Sequence, residues 1–196
     1  SIDYGFFWEM PVIVPMPDCK WLFLVTTLGG KQGVENLYWV GTINSDGTFN
    51  PYSDTPKEVE LGTFGTNGYG LLSPSVMQKD GKTIAVGIVP DKLSSADNLQ
   101  LGWAHLYSLP REWSLDANNN LIQIPYTGIQ NIRSAETVYN IVNEEVNSSR
   151  SLSPVSGKTL EIDGNFIIGT ASKFGYNLRK SGGNLISVYY TPSTNK

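Results

Sequence analysis

Near the start of the chain a carboxylate stands in an apolar frame: Phe6-Phe7-Trp8-Glu9-Met10-Pro11, followed by Val12-Ile13-Val14. Glutamate is depleted in strands and rarely lies beside a core unless it is paired. Desolvation disfavours the charged form of a carboxyl in such a setting. That suits a general acid that protonates a leaving oxygen, the task one of two carboxyls performs in glycoside cleavage. The plainer reading of Glu9 is an edge-strand side chain that points to water. His105 is the sole histidine and Cys19 the sole cysteine. With one of each, a zinc site or a Ser-His-Asp triad is nearly ruled out, and no metal site is expected. His105 reads as a hydrogen-bonded structural residue and Cys19 as a buried, inert thiol. Arg111-Glu112 could serve a pocket network, with a structural ion pair the simpler role. Asp18, Asp46 and Asp80 read as turn formers.

The elements that must carry these residues are strands almost throughout. Trp21–Thr27 and Leu37–Asn44 are rich in aromatic and β-branched residues, and the second runs into the turn signal Ser45-Asp46-Gly47. Leu71–Gln78, Thr83–Val89, Trp103–Leu109, Trp113–Leu115 and Leu121–Pro125 continue the pattern, with Lys79–Lys82 as a hairpin turn. The order repeats. Pro11 and Pro74 are 63 residues apart, and Trp39 and Trp103 are 64 apart. Two four-stranded units in one register look like propeller blades, with both tryptophans at equivalent core positions. A Greek-key sandwich would also give many short strands, but not this offset. Ser134–Asn147 departs from the rhythm. Val138, Ile141, Val142 and Val146 fall on one helical face behind a Ser134 N-cap. Ser148–Gly157 reads as a linker, after which Thr159–Ile168, Ala171–Arg179 and Leu185–Tyr190 return to strands.

The 196 residues suffice for one large or two small domains with a sizeable core, and the 40% hydrophobic content is that of a globular protein. Net charge is −4 with no basic stripe, so nucleic acid is excluded as a partner. No apolar run approaches the roughly 20 residues of a membrane helix. No leader is visible, and a removed leader or an upstream domain stays open.

Three ordered motifs carry a family resemblance. They are Trp8-Glu9-Met10-Pro11, then Gly102-Trp103-Ala104-His105-Leu106-Tyr107-Ser108-Leu109-Pro110-Arg111-Glu112, then Leu121-Ile122-Gln123-Ile124-Pro125. Together they resemble glycoside hydrolase family 32, the β-fructofuranosidases, over about Phe6 to Tyr190. The first two segments are the most specific.

The resemblance implies an all-β fold: part of a five-bladed β-propeller, about blades 3–5, followed by the first strands of a β-sandwich. Phe174–Arg179 is similar to the opening of that sandwich. The implied domains are 1–133 propeller blades, 134–157 a linker with a short helix, and 158–196 the start of the sandwich. The implied function is retaining hydrolysis of a fructan or related glycan, by two carboxylates about 5 Å apart. Glu9 takes the acid/base position, with Met10 where the family usually has Cys. Tyr69, in a loop between Gly68 and Gly70, is a candidate sugar contact. The nucleophile motif Asn-Asp-Pro-Asn-Gly and a second carboxylate in Arg-Asp-Pro are absent from the sequence. Leu71-Leu72-Ser73-Pro74-Ser75 replaces an aromatic-rich run, and Gly87-Ile88 replaces Gly-Trp. The chain therefore reads as a portion of an active enzyme or, alternatively, as a noncatalytic glycan-binding or truncated propeller protein. The implied partner is a carbohydrate, with no cofactor and no membrane. Self-association or a missing N-terminal segment would complete the fold, and location would be secreted or periplasmic.

Overall fold

The computed structural model describes residues 4–30, 33–60, 71–91, 93–134, 139–152, 156–157, 159–179 and 185–194. The chain divides into two compact units, Ser1–Ala135 and Glu136–Lys196.

The first unit holds two antiparallel meanders. β1 (Phe7–Met16), β2 (Lys20–Gly30), β3 (Gly33–Ile43) and β4 (Phe49–Pro51) follow one another in the first sheet, and β5 (Lys57–Glu58) also pairs with β3. β6 (Leu72–Lys79) and β7 (Lys82–Val89) open the second sheet. Next come the helix α1 (Ser95–Leu101), the short strand β8 (Leu106–Tyr107), β9 (Arg111–Leu115) and β10 (Leu121–Pro125). The spatial order of the second sheet is β10-β9-β7-β6, with β8 also on β7. A 3-10 helix at Thr127–Ile132 closes the unit.

The repeat lies in the register. Between Glu9↔Thr26 and Val12↔Leu24, three steps on β1 oppose two on β2. Between Leu72↔Ile88 and Ser75↔Val86, β6 does the same against β7. Met10 and Ser73, each just before a proline, take positive φ of 50° and 45°. An extra residue in a left-handed conformation is how a bulge bends a strand, and the proline that follows donates nothing to the ladder. The last hairpins match as well. Ile43↔Phe49 and Leu115↔Leu121 close five-residue loops, with Asn44 N donating to Thr48 O and Asp116 N to Asn120 O.

Counting from the bulges, Phe23 and Ala85 are equivalent, and their third-strand partners are Trp39 and Arg111. Trp103 is therefore not the counterpart of Trp39. It lies outside the strands, exposed, and the expected strand Trp103–Leu109 shrinks to β8. The reason is an interruption. Ser108-Leu109-Pro110 splits the third strand of the second sheet, Ser108 reaching Gly87 while Pro110 has no N–H to donate. α1 was not foreseen, although Ser94 and Asp97 form a capping box and Gly102 ends the helix in the left-handed region.

The core lies between the sheets. Val14, Met16, Leu22, Leu24, Tyr38 and Val40 pack against Leu71, Ala85 and Trp113. Burying a leucine such as Leu22 or Leu24 contributes about 1.5–3 kcal/mol. Polar bonds tie the same seam: Gln78 Nε2 to Pro15 O at 2.9 Å, and Leu121 N to Tyr38 Oη at 2.9 Å. The opposite face of the first sheet is aromatic. Trp39 has Tyr4, Trp8 and Phe23 around it at 6.1, 5.7 and 5.8 Å.

In the second unit β11 (Phe174–Arg179) and β12 (Leu185–Tyr190) form one hairpin. Phe174 contacts Phe166 and Tyr190 at 4.9 and 5.5 Å. The helix expected over Ser134–Asn147 is not seen at residues 139–147, and Val138 lies outside the described residues. The strand expected at Thr159–Ile168 is irregular.

Candidate active site

Glu9 sits on β1, two residues before Pro11 and directly across from Thr26 on β2. It is partly exposed and makes no side-chain hydrogen bond to a described residue. The bulge at Met10-Pro11 decides which side chain of β1 takes this place: without the extra residue Met10 would stand opposite Thr26. Val12, Val14 and Met16 turn into the seam, and the extra residue brings Glu9, out of step with them in number, opposite buried Thr26 at the end of the strand.

Its cross-strand neighbour is held firmly. Thr26 is 1% exposed and Asn36 is 7% exposed. Thr26 Oγ1 donates to Asn36 Oδ1 at 2.5 Å and accepts from Ser73 N at 3.2 Å. Asn36 Nδ2 donates to the carbonyl of Leu71. Leu71 N in turn donates to Glu60 Oε2 at 2.9 Å. Glu60 Oε1 pairs with Arg111 Nη1. Arg111 Nη1 also donates to Gln123 Oε1 at 3.1 Å, as does Trp113 Nε1 at 2.9 Å. Burial lowers the affinity of the Arg111 guanidinium for its proton. Arg111 and Glu112 are thus not partners of each other. Adjacent strand residues face opposite ways, and Glu112 pairs with Lys82 at 2.7 Å.

The second sheet repeats the geometry with other chemistry. Leu72 and Ile88 occupy the positions of Glu9 and Thr26. Gly87 beside them is required by packing: a Cβ there would fall 2.6 Å from Leu71 Cγ.

Several expected residues fall elsewhere. Tyr69 lies outside the described residues. His105 is in a loop with φ of 60°, its backbone N–H donating to Asp91 Oδ2 at 2.5 Å and its Nδ1 accepting from Asp91 N at 3.2 Å. The N–H groups of His105 and Leu93 hold the Asp91 carboxyl below the usual carboxylate range. Cys19 is exposed, a correction to the buried thiol expected. It shares the β1–β2 turn with Asp18, both in the left-handed region, where no core can reach it. Asp46 and Asp116 anchor the two equivalent hairpin loops. Thr48 hydroxyl and N–H hold the first carboxyl low, and Asn120 the second. Among the described residues no group of three or more His, Cys, Asp or Glu could hold a metal ion. No helix of the described residues is long and apolar enough to cross a membrane. The network from Thr26 to Arg111 was missed in the sequence, because its members lie far apart along the chain.

Residues 1–125 match the family model described as "Glycosyl hydrolases family 32 N-terminal domain". A curated relative, the "Beta-fructofuranosidase, cell wall isozyme" of Pisum sativum, is 27% identical over 64% of this chain. The match spans only 26% of that relative. Among solved structures, a family 32 beta-fructofuranosidase from Bombyx mori aligns with a TM-score of 0.58 and 24% identity. That alignment covers 70% of this chain and 29% of the other. A variant of the Bombyx mori enzyme has been solved in complex with sucrose. Sucrose-6-phosphate hydrolase from Lactobacillus gasseri aligns with a TM-score of 0.56 and 21% identity, over 70% of this chain and 28% of the other.

Proposed function

The chain belongs to glycosyl hydrolases family 32, and on that premise we propose that it is a portion of a glycosidase of the fructosidase type. Glu9 is the general acid/base: it protonates the glycosidic oxygen as the bond breaks, then takes a proton from water in the second step. The observation that carries this reading is the position of Glu9. A glutamate with no side-chain partner among the described residues stands where a proline bulge sets it opposite buried Thr26, at the edge of the seam, within the Trp-Glu-x-Pro motif of the matched segment. A retaining mechanism needs a second carboxylate about 5 Å away. We assign that nucleophile to a segment outside this sequence, which lacks the family motif. No cofactor enters this chemistry.

The two meanders are two propeller blades, and residues 158–196 the start of a β-sandwich beyond the 134–157 linker. The arrangement of exposed surface supports this. The face of the second sheet that carries Ala85, Arg111 and Trp113 is covered by the first sheet. The equivalent face of the first sheet, with Phe23 and Trp39, leaves Trp8 and Ile13 about half exposed. An earlier blade of the longer protein would cover it. The substrate is a fructose-bearing glycan, with Tyr69 a contact to it. The sucrose complex of the Bombyx mori relative supports that class. The pea relative's cell-wall designation supports a secreted or periplasmic location.

Glu9→Gln in the full-length protein tests the role. Release of fructose from sucrose, inulin and levan should fall by about 10²–10⁴. Unchanged hydrolysis would remove Glu9 from the mechanism. A second reading, a noncatalytic glycan binder, is favoured by the aliphatic pair Leu72–Ile88 where the family often stacks an aromatic on sugar. Calorimetry with the same glycans that gave heat without product would select it.

A further inference from the structure

The bonds around Thr26 form one continuous path. It runs from Arg111 through Glu60 Oε1 and Oε2 to Leu71 N, then from Leu71 O through Asn36 to Thr26, and ends at Ser73 N. It crosses from the second sheet to the first and back. Each bulge contributes: Ser73 is the left-handed residue of one, and Thr26 faces Glu9 beside the other. We propose that Thr26 is a positioning residue for Glu9, and that this path locks it in place. The proposal rests on the reading of Glu9 as acid/base.

The physical argument has three steps. Glu9 has no side-chain hydrogen bond to a described residue, so its direction depends on its strand and its neighbours. Register is lost immediately after Glu9, so the Glu9–Thr26 pair is the last fixed point of the ladder before the bulge. Directly opposed side chains have Cβ atoms about 5 Å apart and pack against one another. A threonine hydroxyl has one hydrogen to donate and two lone pairs. Here Asn36 Oδ1 takes the hydrogen and Ser73 N fills one lone pair, with Ser73 Oγ 3.4 Å away. Thr26 is therefore held in one rotamer. Its orientation is fixed jointly by Asn36 of the first sheet and Ser73 of the second, so the second sheet has a hold on Glu9's neighbour. Small displacements of a catalytic group cost large factors in rate, which gives such a lock a function.

Thr26→Val keeps the shape and removes the hydroxyl; Thr26→Ser restores it. In the full-length protein, Thr26→Val should lower kcat on sucrose about tenfold with KM within about twofold, and Thr26→Ser should recover most of the loss. In the same samples the Ser73 amide, deprived of its acceptor, should exchange with solvent about tenfold faster, and the side-chain carboxyl ¹³C signal of Glu9 should move. Asn36→Ala, which breaks the path one bond further on, should give the same pattern and serves if Thr26→Val does not fold. A folded variant with unchanged kcat and an unmoved Glu9 signal overturns the proposal. If Glu9→Gln remains active while Thr26→Val moves the Glu9 signal, the acid/base reading fails and the structural coupling stands. If Glu9→Gln is inactive and Thr26→Val is silent, only the positioning role fails.

Discussion

The two sheets of the first unit share a backbone plan and diverge in what they mount on it. Each has a proline bulge in its first strand and a five-residue loop before its last. At the residue before the bulge one carries Glu9 and the other Leu72. On the third strand one carries Trp39, among aromatic rings, and the other carries Arg111, paired with Glu60. A repeated backbone thus fixes where a side chain is displayed, and each copy fills the position according to what it faces. Arg111 faces a sheet present in this chain, and finds Glu60 in the seam and Gln123 on the neighbouring strand of its own sheet. Trp39 lies on the face away from that seam, where rings and apolar side chains gather.

The sharpest way to break the comparison is through the tryptophans. Trp113 is 2% exposed, in the seam, so Trp113→Ala should cost about 3–5 kcal/mol in a denaturant titration of the full-length protein. Trp103→Ala, at 46% exposure, should cost less than about 1 kcal/mol. Equal losses would restore Trp103 to the core position the sequence suggested.

The ion pairs come next. Glu60→Gln leaves a partly buried guanidinium without its charge partner and should cost about 1–2 kcal/mol. Glu112→Gln loses an outer pair with Lys82 and should cost under about 1 kcal/mol. If the second exceeded the first, the seam network would not be the stronger tie.

A pH effect tests what the two sheets share, the paired hairpin loops. Asp46 and Asp116 are held below the usual carboxylate range by hydrogen bonds from Thr48 and Asn120. A depressed folded value means the stabilisation is complete above the unfolded value of about 3.9 and is lost as pH falls through the folded one. Asp116→Asn should therefore lower the thermal midpoint at pH 7 and flatten its fall below about pH 4, the two proteins converging in acid. An unaltered acid limb would show that the loop bonds do not contribute.

The smallest effect tests the bulges themselves. Met10→Gly relieves a left-handed non-glycine residue and should be neutral or stabilising by up to about 1 kcal/mol, whereas glycine at Met77, in a regular stretch of β6, should destabilise. Destabilisation at Met10 comparable to that at Met77 would mean that the bulge does not govern the site.

The sequence by itself determined most strands of the first unit, its hairpin turns and the family. β-branched and aromatic runs bounded by Asp-Gly and Asn-rich turns are local signals, and Trp8-Glu9-Met10-Pro11 is contiguous. The 63-residue offset between the prolines was legible for the same reason, since each proline marks its bulge within its own strand. Other features were decided only in three dimensions. That Trp39 corresponds to Arg111 and not to Trp103 depends on the break at Ser108-Leu109-Pro110, which shifts the pairing of the third strand. Cys19 is exposed because backbone conformation, not hydrophobicity, places it in a turn. The path from Arg111 to Thr26 draws on residues 26, 36, 60, 71, 73 and 111, and hydrogen bonds between such distant positions leave no periodicity in a sequence. They form because two sheets pack face to face and the polar groups enclosed at the rim of that seam must find partners there.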